Sequence, residues 1–332
     1  MINYLAIDAG GTSTRAVFLS ARGECLGYGI SGGGNPVSRG FEGAIDSLLE
    51  ASEKALGGTG NRFHSVTLGM AGASLELPTH LFQQRFITLG LAHEVLIESD
   101  LLAAFYSGTY QDNGYALIAG TGAVAARVTE SRLAAVADGT GWLLGDDGAG
   151  FWLGSQVVRA VAAALDGRGA PTALTELVLA ELDITLDPGV RTQGRVGAQQ
   201  QLIVKIYEMR PIELSRFAPM VFAVRDDAVA ADIIERAADA LARTLGAVIE
   251  ADTPGPLVFG GSVLTKGGAV AAAVTARLAD KLGAAAGSEP LAPVLVHDGV
   301  VGAAVLALKR NGVEVDAAVF GRITESLAAL RD

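Results

Sequence analysis

The segment Asp8–Ser13 combines a carboxylate, two adjacent glycines and two hydroxyl side chains between two apolar runs. Glycines at a turn between strands let backbone N–H groups converge on an anion, because no Cβ atom blocks the approach. The hydroxyl groups of Thr12, Ser13 and Thr14 add further donors, and Asp8 is placed to hold Mg²⁺ directly or through water. The pattern predicts a nucleotide phosphate site, and the alternative is a β-hairpin turn without a ligand.

Two further glycine turns follow apolar runs, at Gly120-Thr121-Gly122 and at Gly260-Gly261-Ser262. The first of them again lies between two apolar runs, Tyr115–Ala119 and Val124–Val128. This repetition indicates two related halves, each with a phosphate-type hairpin. The third turn is then expected to face the nucleotide base, and the alternative is three ordinary turns.

Asp100 is a candidate general base, because phosphorylation of an alcohol requires a group that takes up the hydroxyl proton. It stands where a predicted strand ends and a predicted helix begins. Aspartate is also a favoured helix N-cap, so position alone leaves a catalytic and a capping role open.

The segment Asp138–Gly154 is the densest cluster of chemically useful residues, with three acids, both tryptophans and six glycines in 17 residues. Aromatic rings and carboxylates on a closely approachable backbone suit a polyhydroxy ring. The alternative is a structured loop before a helix near Gly154, with Asp146 and Asp147 stabilised by the positive end of its dipole.

The elements that must position these residues alternate between strands and helices, which predicts an α/β fold. The predicted strands are Tyr4–Ile7, Ala16–Ser20, Cys25–Ser31, Ser65–Met70, Glu94–Glu98, Tyr115–Ala119, Val124–Val128 and Leu257–Phe259. The predicted helices are Phe41–Leu56, Pro78–Leu89, Leu101–Tyr106, Gly154–Ala164, Ala173–Leu182, Arg195–Tyr207, Pro211–Val221, Ala228–Glu250, Val300–Lys309 and Val315–Leu330.

Length and composition exclude several classes of protein. The 332 residues are enough for two ordinary domains, and half of them are apolar, as expected of a packed chain. A net charge of −11 without a basic run argues against nucleic-acid binding. Cys25 is the single cysteine, which excludes an intramolecular disulfide and a four-cysteine metal site. We expect a cytoplasmic protein, because no signal peptide or membrane-spanning apolar stretch is visible.

Together these motifs resemble the sugar kinases of the actin-like (hexokinase/Hsp70) ATPase superfamily, and within it the N-acetylglucosamine kinase group with its BadF/BadG-type relatives. The resemblance covers nearly the whole chain. Asp8–Thr12 and Ala119–Gly122 resemble the two phosphate motifs of this superfamily, and Phe259–Val263 resembles its adenosine motif. Val296–Ala303 is similar to its late connecting helix, and Gly69–Ala73 also fits.

The resemblance implies two actin-like (ribonuclease H-like) ATPase domains with a central cleft. We expect an N-terminal domain of residues 1–112, completed by a helix at about 313–332, and a C-terminal domain of residues 113–312. It also implies ATP, Mg²⁺ and an amino sugar as ligands, and a homodimer. The charge and the lack of a long apolar stretch predict no nucleic-acid or membrane partner.

The resemblance also assigns roles to individual residues. Asp100 is expected to deprotonate the sugar 6-hydroxyl, and Asp8 is expected at the Mg²⁺ site. The expected ATP-binding residues are Gly10, Gly11, Thr12, Ser13, Gly120, Thr121, Gly122, Gly260, Gly261 and Ser262. The expected sugar-binding residues are Asn35, Asp100, Thr121, Asp138, Thr140, Gly141, Asp146 and Asp147.

The sequence departs from the family pattern at one place. N-acetylglucosamine kinases typically have Gly-Trp-Gly before Gly-Asp-Glu-Gly, whereas this chain has Gly139-Thr140-Gly141 before Gly145-Asp146-Asp147-Gly148. Asp138 adds a carboxylate. An ammonium group keeps its charge beside carboxylates, whereas a neutral acetamide would leave a desolvated carboxylate unpaired. We therefore expect a glucosamine kinase, with N-acetylglucosamine as the alternative substrate and glucose as a weak one.

Three other functions fit the sequence less well than a kinase. A dehydratase activator with a bridging iron–sulfur cluster needs paired cysteines, which Cys25 cannot supply even in a dimer. A DNA-binding repressor needs a helix-turn-helix, and the hairpin starting at Tyr4 is expected to leave no room for one. A non-enzymatic sugar sensor would be expected to lose the base, yet Asp100 is present.

Overall fold

Two five-stranded sheets form the framework of the protein in a computed structural model that describes residues 2–58, 61–70, 78–187, 189–224, 226–266, 268–286 and 292–331. The first sheet consists of β1 (Asn3–Ala9), β2 (Thr14–Ser20), β3 (Cys25–Ser31), β4 (Val66–Met70) and β5 (Val95–Ser99). The second consists of β6 (Gly114–Ala119), β7 (Ala123–Thr129), β8 (Arg132–Asp138), β11 (Leu257–Gly260) and β12 (Val294–Val296). A short hairpin, β9 (Arg191–Thr192) and β10 (Arg195–Val196), lies outside both sheets.

The two sheets have the same strand order. In the first the order is β3-β2-β1-β4-β5, and in the second β8-β7-β6-β11-β12. Each contains three antiparallel strands followed by two strands parallel to the first of them. The repeated hairpin pattern in the sequence thus corresponds to a repeated sheet, and the α/β prediction is confirmed.

Helices pack around both sheets. They are α1 (Pro36–Arg39), α2 (Phe41–Leu56), α3 (Thr79–Ile87), α4 (Asp100–Gly108), α5 (Gly150–Leu165), α6 (Leu174–Glu181), α7 (Gly197–Tyr207), α8 (Met220–Ala223), α9 (Ala228–Gly246), α10 (Ser262–Thr265), α11 (Ala269–Arg277), α12 (Ala279–Ala286), α13 (Val300–Arg310) and α14 (Ala317–Arg331), with a 3-10 helix at Pro211–Phe217. None of the described helices is both long and apolar enough to cross a bilayer.

The structure differs from the sequence prediction at several elements. The predicted helix Pro211–Val221 is a 3-10 helix followed by the separate α8, because Pro219 interrupts it. The long helix predicted to reach Glu250 ends at Gly246. Strands β8 and β12 and helices α11 and α12 were not predicted, since their alanine-rich or short segments lack a clear period. The predicted turn Ala71-Gly72-Ala73 lies outside the described residues.

Helices α4 and α13 cross with their backbones in contact, within an apolar core that includes residues of both sheets. A Cβ atom at Gly302 would overlap the carbonyl oxygen of Ala103, so glycine is required for this close approach. The Gly302 N–H, which lies in the first turn of α13, donates a hydrogen bond to Oγ of Ser107 at 2.9 Å. The crossing therefore fixes the start of α13 against α4.

Candidate active site

The first glycine turn, between β1 and β2, packs against the Gly32–Asn35 loop. The Gly10 N–H donates to the Ser13 carbonyl oxygen at 3.1 Å, and the Gly34 N–H donates to the Gly10 carbonyl oxygen at 3.0 Å. A Cβ atom at Gly33 would overlap the Gly11 carbonyl oxygen. Asn35 is thereby brought beside the candidate ATP-binding residues Gly10, Gly11, Thr12 and Ser13, of which Gly11 and Thr12 are exposed.

The second glycine turn, between β6 and β7, is held by the start of α5. The Gly150 N–H donates to the Gly120 carbonyl oxygen at 2.8 Å, and the Phe151 N–H donates to the Thr121 carbonyl oxygen at 3.0 Å. Within the turn, the Gly120 N–H donates to the Gly122 carbonyl oxygen at 2.9 Å. Thr121, at the tip of this turn, is exposed.

The third glycine turn lies against the second. Gly261 has φ +85°, and a Cβ atom there would overlap the Ala119 carbonyl oxygen. A cavity of about 310 Å³ opens between the two turns. It is lined by Gly120, Thr121, Gly150, Ser215, Ala218, Pro219, Phe222, Ser262, Val263 and Lys266. No residue of the first glycine turn lines this cavity.

Sequence reasoning missed half of this cavity wall. Ala218 and Pro219 lie between the 3-10 helix and α8, Phe222 belongs to α8, and Lys266 follows α10. These residues combine an aromatic ring and apolar groups with one cation, which suits a nucleotide base and sugar. None of these residues belongs to a phosphate motif. Lys266 could have been indicated only by its position shortly after the third glycine turn.

Asp8, the candidate Mg²⁺ residue, is the last but one residue of β1 and lies directly opposite Arg15 of β2. Its Oδ2 accepts a hydrogen bond of 2.9 Å from the N–H of Gly299. The pKa of the Asp8 carboxyl is raised to about 6, mainly by burial. The negative charges of Asp298 and Asp100 contribute to this rise, whereas the Gly299 hydrogen bond and the charge of Arg15 oppose it. Asp8 and Asp100 therefore share one electrostatic environment.

Asp100, the candidate base, is the first residue of α4. The N-cap is Ser99, whose Oγ accepts a hydrogen bond of 3.2 Å from the Leu101 N–H. The capping position proposed as the alternative role of Asp100 is therefore taken by its neighbour. Burial raises the pKa of the Asp100 carboxyl, although hydrogen bonds with the Leu101 and Asp100 N–H groups and with Ser99 oppose the shift. A carboxylate with a raised pKa is a better proton acceptor.

The carboxylates fit Mg²⁺ only if the ion is shared with phosphate oxygens. No group of three His, Cys, Asp or Glu side chains in the described ranges is arranged to hold a metal. Mg²⁺ commonly takes one or two carboxylates and completes its shell with water and nucleotide phosphate. Asp8 beside the first phosphate-type turn supplies a donor set of that kind.

The Asp138–Ala149 loop is organised by its own carboxylates. Oδ1 of Asp138 accepts hydrogen bonds from the Asp146 N–H at 2.9 Å and from the Thr140 hydroxyl at 3.3 Å. Oδ1 of Asp146 accepts from the Ala123 N–H at 3.0 Å, directly after the second glycine turn. Asp138 therefore shapes the loop, and Asp146 attaches it to β7.

Asp146 is buried, whereas Asp147 and Thr140 are exposed and Gly141 is half-buried. Burial raises the pKa of the Asp146 carboxyl, and the charges of Asp138 and Asp147 raise it further. Helix α5 begins at Gly150 rather than near Gly154. In the described part of the chain, no hydrogen bond or ion pair joins this loop to Asp100.

The two tryptophans have different surroundings. Trp142 is 41% exposed and its ring lies 5.2 Å from that of Phe151, whereas Leu143 and Leu144 beside it are more exposed still. The ring of Trp152 lies under the guanidinium of Arg236 at 5.5 Å. Trp142 is thus the aromatic residue of this loop that remains open to solvent.

Comparison with known proteins places these features in a family. The sequence profile of the BadF/BadG/BcrA/BcrD ATPase family matches residues 5–307. An N-acetyl-D-glucosamine kinase from Dictyostelium discoideum is 28% identical over 288 residues, covering 80% of this chain and 86% of that protein. A glucosamine kinase from Vibrio cholerae is 26% identical over 245 residues, covering 71% of this chain and 76% of that protein.

Solved structures confirm the actin-like fold. A Porphyromonas gingivalis protein, provisionally assigned as an N-acetylglucosamine kinase, has a TM-score of 0.70 at 21% identity, covering 94% of this chain and all of that one. A ROK family glucokinase from Streptomyces griseus, solved with glucose and AMPPNP, has a TM-score of 0.52 at 18% identity, with coverage of 92% and 99%. The chain belongs to the BadF/BadG/BcrA/BcrD ATPase family, as its motifs predicted.

Proposed function

We propose that this protein is an ATP-dependent kinase that phosphorylates glucosamine at the 6-hydroxyl, giving glucosamine 6-phosphate and ADP. Kinases of glucosamine and of N-acetylglucosamine are both among its relatives, which supports an amino sugar as the acceptor. The observation that carries the choice of glucosamine is the grouping of Asp138, Asp146 and Asp147, which form no ion pair in the described part of the chain. Such a group favours a ligand with a positive charge.

In this mechanism the chain's own residues position the reactants and move one proton. Asp100 takes the proton of the sugar 6-hydroxyl. The oxygen of that hydroxyl attacks the terminal phosphorus of ATP, and ADP leaves. The two glycine hairpins donate backbone N–H groups to the phosphates, and Asp8 would hold Mg²⁺, which neutralises phosphate charge when bound. Asn35 and the Asp138–Asp147 loop orient the sugar.

N-acetylglucosamine is the second candidate substrate, favoured by the identity with the Dictyostelium discoideum kinase. Thr140, in place of the tryptophan that N-acetylglucosamine kinases typically carry, argues for the free amine. A sugar sensor without activity is the remaining alternative. Against it stands Asp100, a half-buried carboxylate with a raised pKa in the same electrostatic environment as Asp8.

The deciding experiment is ADP release from ATP and Mg²⁺ with glucosamine, N-acetylglucosamine and glucose in parallel. We expect the highest kcat/KM with glucosamine. A preference for N-acetylglucosamine would replace the proposed substrate, and activity with none of them would contradict the kinase proposal. Sugar binding without ADP release would support the sensor instead.

Asp100→Asn is the matched variant, because it keeps the size of the side chain and removes the base. We expect its rate of transfer to fall roughly 100- to 10,000-fold while ATP binding is retained. Full activity in this variant would contradict the assignment of Asp100.

The organisation of the protein beyond its site also remains a proposal. We propose domains of residues 1–112 with 313–332 and of residues 113–312, a homodimer, and a cytoplasmic location. Light scattering on the purified protein measures the oligomeric state, and limited proteolysis maps the domain boundaries.

A further inference from the structure

Two of the four histidines of the chain meet at one edge of the first sheet. His64 precedes β4 and His93 precedes β5, and the backbone N–H of His93 donates to the His64 carbonyl oxygen at 2.9 Å. Strands β4 and β5 are parallel neighbours with Val66 opposite Val95, so the two histidines stand at matching positions just before the paired strands. The centres of their imidazole rings are 3.9 Å apart, with an angle of 37° between the planes.

The ring nitrogens of this histidine pair have no hydrogen-bond or ion-pair partner in the part of the chain that the structure describes. His64 is half-buried, and the ring of Tyr4 packs edge-on against its ring at 6.1 Å between centres. Its nitrogens are nevertheless not among the buried polar atoms that lack a partner, so solvent reaches them. His93 is exposed, and an exposed side chain changes rotamer readily. The pair therefore combines one held imidazole with one that is able to turn.

The spacing of the pair suits chelation of a metal ion. An imidazole nitrogen binds Zn²⁺ at about 2.0–2.1 Å, so two nitrogens on one tetrahedral ion lie about 3.3 Å apart. Rings with centres 3.9 Å apart reach that separation when the exposed His93 side chain rotates. Imidazole suits Zn²⁺, Ni²⁺ and Cu²⁺, whereas Mg²⁺ prefers oxygen ligands. The net charge of −11 also favours a cation at the surface of this protein.

We propose that His64 and His93 together bind one divalent transition-metal ion, such as Zn²⁺, through one nitrogen each, with water completing the coordination. In the described ranges no third His, Cys, Asp or Glu side chain joins them, so the affinity depends on chelation by both imidazoles. At the rise of a strand, the seven positions from His93 to Asp100 span about 23 Å. This site is therefore separate from the candidate active site, and it does not depend on the proposed function.

The test is titration calorimetry of Zn²⁺ into the protein in excess Mg²⁺, which competes for sites made of oxygen atoms. We expect wild type to bind one Zn²⁺ ion per chain at this site. In His64→Gln and in His93→Gln the affinity for that ion should fall at least about tenfold, because a single imidazole loses its chelating partner. His80→Gln is the matched control, since His80 is exposed on α3, and it should bind Zn²⁺ as wild type does.

Thermal unfolding with and without Zn²⁺ gives a second readout. An ion that binds only the folded chain raises Tm, so Zn²⁺ should raise the Tm of wild type and of His80→Gln but not that of the two site variants. The metal-free unfolding curves show whether each variant is folded, and the exposed position of His93 makes that variant the safer of the two. Lowering the pH from about 7.5 to about 5.5 should weaken Zn²⁺ binding to wild type, because protons compete for the imidazole nitrogens.

The proposal would be overturned if wild type bound no Zn²⁺ ion in excess Mg²⁺. It would also be overturned if His93→Gln, folded as judged by its unfolding curve, kept the wild-type affinity, or if His80→Gln lost as much affinity as the site variants. Loss of Zn²⁺ binding in His64→Gln and His93→Gln alone would confirm it. None of these measurements uses a sugar or a nucleotide, so their result is independent of the kinase assay.

Discussion

The backbone N–H of Gly299 donates a hydrogen bond of 2.9 Å to Oδ2 of Asp8, joining residues 291 positions apart in the sequence. It attaches the end of β1 to the start of α13. The Asp8 carboxylate is thereby held at a helix N-terminus, where a negative charge is stabilised. Burial nevertheless dominates, because the pKa of Asp8 is raised to about 6.

The first prediction concerns the pH dependence of stability through Asp8. Because its folded-state pKa lies above the unfolded value of 3.8, its contribution to stability is fully present below about pH 4 and is lost as the pH rises through about 6. Asp8→Asn should therefore be more stable than wild type at pH 7.5 without ligands, by about 1–3 kcal/mol. Urea unfolding between pH 4 and 8 measures this difference.

The control for this prediction is Glu176→Gln, at an exposed position of α6. Its unfolding free energy should follow that of wild type across the whole range. If the unfolding free energies of Asp8→Asn and wild type changed with pH in parallel, ionisation of Asp8 would not destabilise the folded protein.

The second prediction separates the loop carboxylates by substrate. Asp146→Asn keeps an oxygen for the Ala123 N–H but removes a buried charge, so KM for glucosamine should rise about tenfold or more while KM for N-acetylglucosamine changes little. Asp138→Asn should impair both sugars, because Asp138 accepts the hydrogen bonds that shape the loop. Steady-state kinetics with both sugars gives the comparison, and equal effects of Asp146→Asn on both would contradict a charge-reading role.

The third prediction concerns the cavity between the second and third glycine turns. Phe222→Ala removes the aromatic ring that lines it, so KM for ATP should rise about tenfold with little change in KM for the sugar. Tyr207→Ala, at a side chain that is 87% exposed, is the control. A change confined to the sugar KM would show that this cavity does not take the nucleotide.

The fourth prediction compares two glycines in helices. Gly302→Ala forces a Cβ atom into the Ala103 carbonyl oxygen and should destabilise the protein by about 2 kcal/mol or more. Gly321→Ala places its Cβ in open space on α14 and should stabilise it by up to about 1 kcal/mol. Thermal unfolding of both variants decides, and a neutral Gly302→Ala would mean that the α4–α13 crossing adjusts easily.

Much of the first sheet and its acids could be predicted from the sequence. Strands β1 and β5 are both parallel to β4, so Asp8 and Asp100 were bound to approach the same edge of one sheet. The apolar runs and glycine turns also predicted the doubled hairpin. These features are local in sequence, and a sheet brings them together by its strand order alone.

The remaining contacts depend on packing that no local pattern encodes. Asp298 was visible only as part of a motif, and its pairing with Arg15 and Arg331 requires the exact placement of α13 and α14. Phe222 lines the cavity between the second and third glycine turns because the short helix α8 carries it there. Asp138 was expected to face the sugar, whereas one of its oxygens is already engaged within the loop.

The α4–α13 crossing also lies close to the residues that position the two acids. Asp100 precedes Ala103 by three residues, and Gly299, which holds Asp8, precedes Gly302 by three, so each lies only about 4.5 Å along its helix from the point of contact. A rotation of one helix against the other by about 10° about that point displaces either end by only about 0.8 Å. A rotation of α4 against α13 about their contact would thus change the spacing of Asp100 and Gly299, the residue that holds Asp8, only slightly.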